Sequence, residues 1–256
     1  MLSVLTIALL AYAGICVYFY LFQRSLLYYP TAEVSAAGLT AETVPSGSEA
    51  ITVWRSAEDF PDAAIYFGGN AETVALSHNQ YRPLLPAHTI YLVEYRGYGR
   101  STGSPTEAGL LADALAVFDR VAATHRRVIL IGRSLGTGMV THVGARRPVH
   151  GLVLITPYDS IAAVGQSHFP WLPVRWLLQD KYRSEANAPA ITAPTLVIGA
   201  TADRVVPLRH AERLTRAFRQ TEPKLVIVPG ADHITVSDTG AFSESIRDFV
   251  QEVASP

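Results

Sequence analysis

Seven short apolar runs, rich in β-branched residues, recur along the chain at residues 50–54, 63–67, 89–93, 128–131, 151–155, 195–198 and 225–228. They lack the polar alternation of a sheet with one wet face. They suit strands buried on both sides, which means a mostly parallel sheet covered by helices. The clearest helix is expected over residues 105–124. Ser104 stands as N-cap, Pro105 as first helical residue and Glu107 as capping-box partner. Leu110, Leu111, Ala114, Val117, Phe118 and Val121 then share one face. Further helices are expected after Leu135, Pro207 and Gly240. The alternation has no internal repeat and predicts a doubly wound α/β fold in one domain. A chain of 256 residues is long enough for the core this needs.

Ahead of that pattern, residues 2–22 carry no charged side chain. As a helix they would extend about 32 Å, close to the thickness of a bilayer's hydrocarbon. Tyr18, Tyr20, Tyr28 and Tyr29 gather at the far end around Arg24, as an interfacial belt would. A cleaved signal peptide is the rival, with Ala11-Tyr12-Ala13 as a small-x-small site. It lacks a basic leading region, and the apolar run continues past the cut. The expectation is a single-pass membrane anchor over 1–22, a connecting segment over 23–48 and a catalytic domain over 49–256. Arg24, the one basic residue nearby, favours the cytoplasmic side for the domain.

Charge narrows the partners. Twenty-one basic and 22 acidic residues nearly cancel without a basic run, so nucleic acid is excluded as a partner. The single cysteine, Cys16, lies in the apolar N-terminus, which leaves the globular part without disulfides or thiolate metal sites. No ligand cluster for a metal or organic cofactor stands out, and none is expected.

Two segments match Gly-x-Ser-x-Gly: Gly99 to Gly103 around Ser101, and Gly132 to Gly136 around Ser134. A nucleophile elbow is a strained turn from strand directly into helix. Only Ser134 has that context, because the run 128–131 leads straight into Gly132 and a helix can follow Leu135. Ser101 lies well past its strand and three residues before Ser104, where a new helix begins, so it reads as a glycine-loop residue.

A serine needs a base, and reactive groups collect at the carboxyl ends of parallel strands. His233 follows the run 225–228 through Pro229-Gly230-Ala231-Asp232. The other seven histidines precede strands or sit in helical stretches and turns, with His168 in a cap-like insertion as the second choice. For the orienting acid, Asp203 follows the run 195–198. Its rival Asp159 follows 151–155 and reads more simply as the cap of a short helix with Ser160. The order Ser134, Asp203, His233 is the order along an α/β-hydrolase chain. Oxyanion donors are expected from the backbone N–H of Leu135 and of Asn70, in the glycine turn Gly68-Gly69-Asn70-Ala71-Glu72.

Together these motifs resemble the α/β-hydrolase superfamily, and more narrowly its membrane-anchored bud-emergence branch of lipid and acyl-protein hydrolases. The resemblance rests on the N-terminal apolar segment, Leu26-Leu27-Tyr28-Tyr29-Pro30, Gly68 to Glu72 and Tyr95-Arg96-Gly97-Tyr98-Gly99-Arg100-Ser101. It continues through Gly132 to Gly136, Asp203 to Pro207 and Gly230 to His233. Many relatives carry a His-Gly-Asn oxyanion turn; here Gly68 stands where that histidine would be. The resemblance implies an ester, thioester or lipid substrate and no cofactor. Residues 158–190 break the alternation and are expected to form a small cap, in which Trp171 and Trp176 could wall an acyl pocket, touch lipid or cover the core. Two rival functions remain: a serine aminopeptidase, for which Glu94 is the only hint of an amine site, and a non-catalytic membrane scaffold.

Overall fold

The computed structural model describes residues 3–34 and 36–254. Met1 and Leu2 of the expected anchor, Ser35 of the connecting segment and the last two residues of the expected domain lie outside them. All seven expected strands form. They are β2 (Glu49–Ser56), β3 (Asp62–Phe67), β4 (His88–Val93), β5 (Arg127–Arg133), β6 (Gly151–Ile155), β7 (Thr195–Ala200) and β8 (Lys224–Val228). An additional strand, β1 (Leu39–Ser46), lies within the stretch read as a connection. It pairs antiparallel with β2 across the two-residue turn Gly47-Ser48. It is an edge strand, and that position is what tolerates Pro45.

The sheet order is β1-β2-β4-β3-β5-β6-β7-β8, with β2 antiparallel to β4 and β4 through β8 mutually parallel. After β3 the chain builds outward to β4, then returns to place β5 on the other side of β3. The crevice between the carboxyl ends of β3 and β5 is therefore the topological switch point, where ligands bind in open α/β sheets.

The helices are α1 (Val4–Leu27), α2 (His78–Tyr81), α3 (Glu107–Ala122), α4 (Gly136–Gly144), α5 (Ile161–His168), α6 (Val174–Leu177), α7 (Ser184–Asn187), α8 (Leu208–Ala217) and α9 (Gly240–Ala254). Side-chain alternation along the buried strands feeds two cores. Ile65, Leu130, Leu152, Leu154 and Val197 pack on one face with Val117 of α3 and Val140 of α4. Tyr66, Ile129, Ile131, Val153 and Ile198 pack on the other with Phe242 and Phe249 of α9. Burying each such side chain stabilises the fold by roughly 1.5–3 kcal/mol.

Helix α3 begins two residues later than its sequence suggested. Its N-cap is Thr106, whose side chain accepts from Gly109 N, and not Ser104. Glu107 is no capping-box partner, because its carboxylate accepts the N–H groups of Lys181 (2.6 Å) and Tyr182 (2.9 Å). Burial there pushes the Glu107 carboxyl above its ordinary range, against the pull of those two N–H groups.

The stretch 158–190 holds α5, α6 and α7. Helix α1 is long and apolar enough to cross a membrane, and most of its large side chains are exposed. Its last turns do not stand clear of the domain. Gln23 Nε2 donates to Leu177 O (3.2 Å), Gln179 N donates to Gln23 Oε1 (2.6 Å), and Arg24 pairs with Asp180 (3.0 Å). Tyr28 follows, its hydroxyl bonded to Asp180 and Tyr182.

Candidate active site

Strand β5 ends at Arg133 and α4 starts at Gly136, so Ser134 occupies the junction. Its φ is +48°, in the left-handed region, a strain of roughly 1–3 kcal/mol that its surroundings must hold. The flanking glycines are sterically required. A Cβ at Gly136 would lie 2.0 Å from the carbonyl oxygen of Phe67, and one at Gly132 would lie 2.7 Å from that of Gly136. Ser134 N donates to Ile155 O (2.9 Å), which fixes the turn against β6.

His233 and Asp203 arrive from the loops after β8 and β7. His233 Nε2 lies 2.9 Å from Ser134 Oγ, and His233 Nδ1 lies 2.7 Å from Asp203 Oδ2. The other carboxylate oxygen, Oδ1, accepts the N–H groups of Val205 and Val206, both at 2.8 Å. The buried carboxylate is thus fully satisfied and aimed. With a proton on Nδ1, the imidazole donates to Asp203 and leaves Nε2 to accept from Ser134.

The turn after β3 lies alongside, as the switch-point topology dictates. Among the described residues, neither Asn70 N nor Leu135 N has a hydrogen-bond partner, so both amides are available. Gly69 N, by contrast, is taken by Glu72 Oε2 (2.6 Å). Glu72 also accepts from Tyr66 Oη (2.7 Å), Ser77 Oγ (2.6 Å) and Arg133 Nη1 (3.2 Å). Arg133 Nη2 reaches the carbonyl of His233 (3.1 Å). Burial alone would make the Arg133 guanidinium easier to deprotonate, but the Tyr66 and Glu72 oxygens beside it reverse the sign and keep it charged. A Glu–Arg pair therefore braces the turn that lacks a histidine at Gly68, and ties it to the loop carrying His233. Sequence reading missed both residues. The signal available was Glu72 three residues beyond Gly69, a spacing that lets a carboxylate turn back on the amide.

The rivals have other partners. Ser101 Oγ donates to Glu94 O (2.9 Å) and accepts Thr52 N (2.8 Å), a structural post between β2 and the glycine loop. Glu94 is buried and bonded to Trp54 Nε1 and Arg100 N, so it offers no amine site. Asp159 holds a different histidine, the fully buried His210, at 2.7 Å. His168 Nε2 lies 3.0 Å from the carbonyl of Val205. Two surface clefts of about 320 and 380 Å³, around Tyr91 and His125 and around Phe118 and His150, are lined by none of Ser134, Asp203 and His233. Among the described residues no group of three or more His, Cys, Asp or Glu could hold a metal ion.

Known proteins similar to this chain in sequence or fold are numerous. The Alpha/beta hydrolase family model matches residues 53–183, and the TAP-like protein model matches 174–256. An uncharacterized protein of Mycobacterium tuberculosis is 31% identical over 99% of this chain and 96% of its own length. The alpha/beta hydrolase domain-containing protein aho-3 of Caenorhabditis elegans is 33% identical over 65% of this chain and 50% of its own. Among solved structures, the Pyrococcus furiosus esterase Pf2001 superposes with a TM-score of 0.73 at 14% identity, over 88% of this chain and 99% of its own. Est1E of Butyrivibrio proteoclasticus, bound to ferulic acid, gives 0.66 at 18% identity over 84% and 99%. These likenesses carry the fold, and with the family match they support hydrolase activity. The family model that spans half the chain settles the assignment: this chain belongs to the alpha/beta hydrolase family.

Proposed function

We propose that the protein is a serine hydrolase that cleaves carboxylic esters or thioesters through an acyl-enzyme on Ser134. The observation that carries this reading is the continuous hydrogen-bonded line Ser134 Oγ, His233, Asp203. In the first half-reaction Ser134 Oγ attacks the acyl carbonyl while His233 Nε2 takes its proton. Asp203 stabilises the imidazolium that forms. The N–H groups of Leu135 and Asn70 receive the developing oxyanion, each donor being worth about 3 kcal/mol of barrier. His233 then gives its proton to the departing alcohol or thiol. Water, activated by the same base, releases the acid. The structural neighbour from Pyrococcus furiosus is named as an esterase, which favours the ester class. Glu94, committed to Trp54 and Arg100, gives the aminopeptidase alternative no support.

In the same reading residues 1–22 anchor the enzyme in a membrane and 49–256 form the catalytic domain, to whose sheet the 23–48 stretch adds β1, with acyl or lipid substrates met at the bilayer, as the bud-emergence resemblance implies. Chromogenic esters, acyl thioesters and anilides assayed side by side, wild type against Ser134→Ala, test the chemistry. Ester or thioester turnover that vanishes in Ser134→Ala is the expected result; turnover that survives it overturns the assignment. Release of the full-length protein by carbonate washing overturns the anchor.

A further inference from the structure

The short loop between α5 and α6 and the helix α6 that follows carry three exposed aromatic side chains, Phe169 and Trp171 in the loop and Trp176 in α6. Exposed aromatics alone assign nothing, but this loop lies along α1. The Phe169 ring sits 6.2 Å from the Phe19 ring, and Tyr12 Oη donates to the carbonyl of Trp171 at 2.9 Å. Tyr12 is 15 residues before Leu27, so the loop runs about 22 Å along the helix from its domain end. Only the stretch from Val4 to Ala11, about 12 Å, extends beyond the contact. An α1 embedded in a bilayer therefore carries the cap loop in with it.

The loop's backbone is suited to that medium. Irregular backbone survives among lipid chains only if its polar groups find partners in the protein. Gln166 Nε2 reaches the carbonyls of Phe169 (3.2 Å), Pro170 (3.4 Å) and Leu172 (2.9 Å), and Tyr12 supplies the donor for Trp171. Four consecutive carbonyls thus have partners, from the two Gln166 N–H groups, the Tyr12 hydroxyl, and the amides of Leu172 on Phe169 O (3.1 Å) and Val174 on Leu172 O (2.8 Å). On the donor side, Pro170 and Pro173 have no N–H, and the amides of Phe169 and Leu172 donate to Gly165 and Phe169, which leaves the Trp171 amide as the one N–H of residues 169–173 without a partner among the described residues. A solvated loop has no need of this arrangement, because water would satisfy the same groups.

We infer that residues 169–176 form a membrane-seated face of the catalytic domain, with Phe169 and Trp171 inside the bilayer beside α1 and the exposed Arg175 and Trp176 nearer the interface on the domain side. The inference rests on the reading of α1 as a membrane helix and goes beyond it. The domain is not hung from a tether; its cap sits in the lipid. An acyl chain can then pass from the leaflet to the cap side of the domain without crossing water. Depth is ordered along the helix. Trp171 lies at the level of Tyr12, whereas Trp176 adjoins Leu177, whose carbonyl is bonded to Gln23, 11 residues nearer the domain.

The chain's three tryptophans make this measurable, since Trp54 is buried in the domain and serves as an unquenched reference. Full-length protein is reconstituted into phosphatidylcholine vesicles whose acyl chains are brominated near the headgroup or near the chain end. Wild-type fluorescence should be quenched by both lipids. Trp171→Phe should remove most of the quenching by the deep label, and Trp176→Phe most of that by the shallow one. If the protein stays with the vesicles through carbonate washing but its fluorescence is unquenched, the loop stands in water and the inference fails while the anchor stands. If carbonate releases the protein, both fall.

Discussion

Asn70 Nδ2 donates to the carbonyl of Leu27 at 2.6 Å, joining the turn beside Ser134 to the final residue of the N-terminal helix. Asn70 Oδ1 completes the junction by accepting Tyr29 N (3.0 Å) and Tyr98 Oη (2.8 Å). The side chain thereby orients its own backbone N–H, the proposed oxyanion donor. Asn70→Ala keeps that N–H but frees the turn. Turnover should fall about 10- to 100-fold with little change in KM, less than the loss of a whole donor. Steady-state kinetics on a soluble ester check this. An unchanged kcat with only a lower melting temperature would make the junction purely structural.

The two serines separate by labelling and by stability. A fluorophosphonate probe should label the wild type and Ser101→Ala, and leave Ser134→Ala unlabelled. Ser101→Ala should melt earlier, because buried Thr52 N loses its acceptor, a loss of about 1–3 kcal/mol. Labelling that survives in Ser134→Ala and disappears in Ser101→Ala reverses the assignment.

The two carboxylates should separate in the same manner. Asp203→Asn is expected to lower turnover by about 10⁴, the scale of a histidine that loses its orienting acid. Burial pushes the Asp159 carboxyl up, but the hydrogen bonds from His210 and Ser160 N outweigh it, so this group stays charged and structural. Asp159→Asn should cost stability and leave turnover within about tenfold of wild type. The opposite pattern in the kinetics would move the acid to Asp159.

Acid sensitivity should come partly from a residue far from the site. Burial pushes His88 down to about 4, with Asp62 pulling weakly the other way, and its Nδ1 has no hydrogen-bond partner. Unfolded histidine titrates near 6.5, so between those values the unfolded chain holds a proton the native state rejects. Stability should therefore fall as pH drops through that window, by up to about 3 kcal/mol at its acid end. His142, pushed down to about 4 mainly by burial, works in the same direction. Thermal melts in detergent at about pH 7 and about pH 4.5 would show the loss. A His88→Gln variant with an undiminished pH slope would remove this residue from the account.

Much was legible in the chain itself, for local reasons. Seven strands were readable because residues buried on both faces of a sheet must be apolar. Ser134 stood out because a strand running into Gly132 and a helix leaving Gly136 are constraints of adjacent backbone. Strand β1 was not legible, since an edge strand exposed along much of its length carries polar residues and Pro45 like any loop. The start of α3 moved because Glu107 had a stronger claim on it, the two amides of the cap, 74 and 75 residues away. The choice of Asp203 over Asp159 followed strand order in the sequence. Only the fold showed that each aspartate holds a histidine and that only one of those histidines faces a serine at the elbow. The Glu72–Arg133 brace, the Ser101 post and the contact of Tyr12 with Trp171 belong wholly to tertiary structure. Each depends on groups 49 to 159 residues apart meeting within hydrogen-bonding distance. Periodicity and local propensity report the neighbours a residue has along the chain, whereas these partners are chosen by sheet order and by the packing of the layers above it.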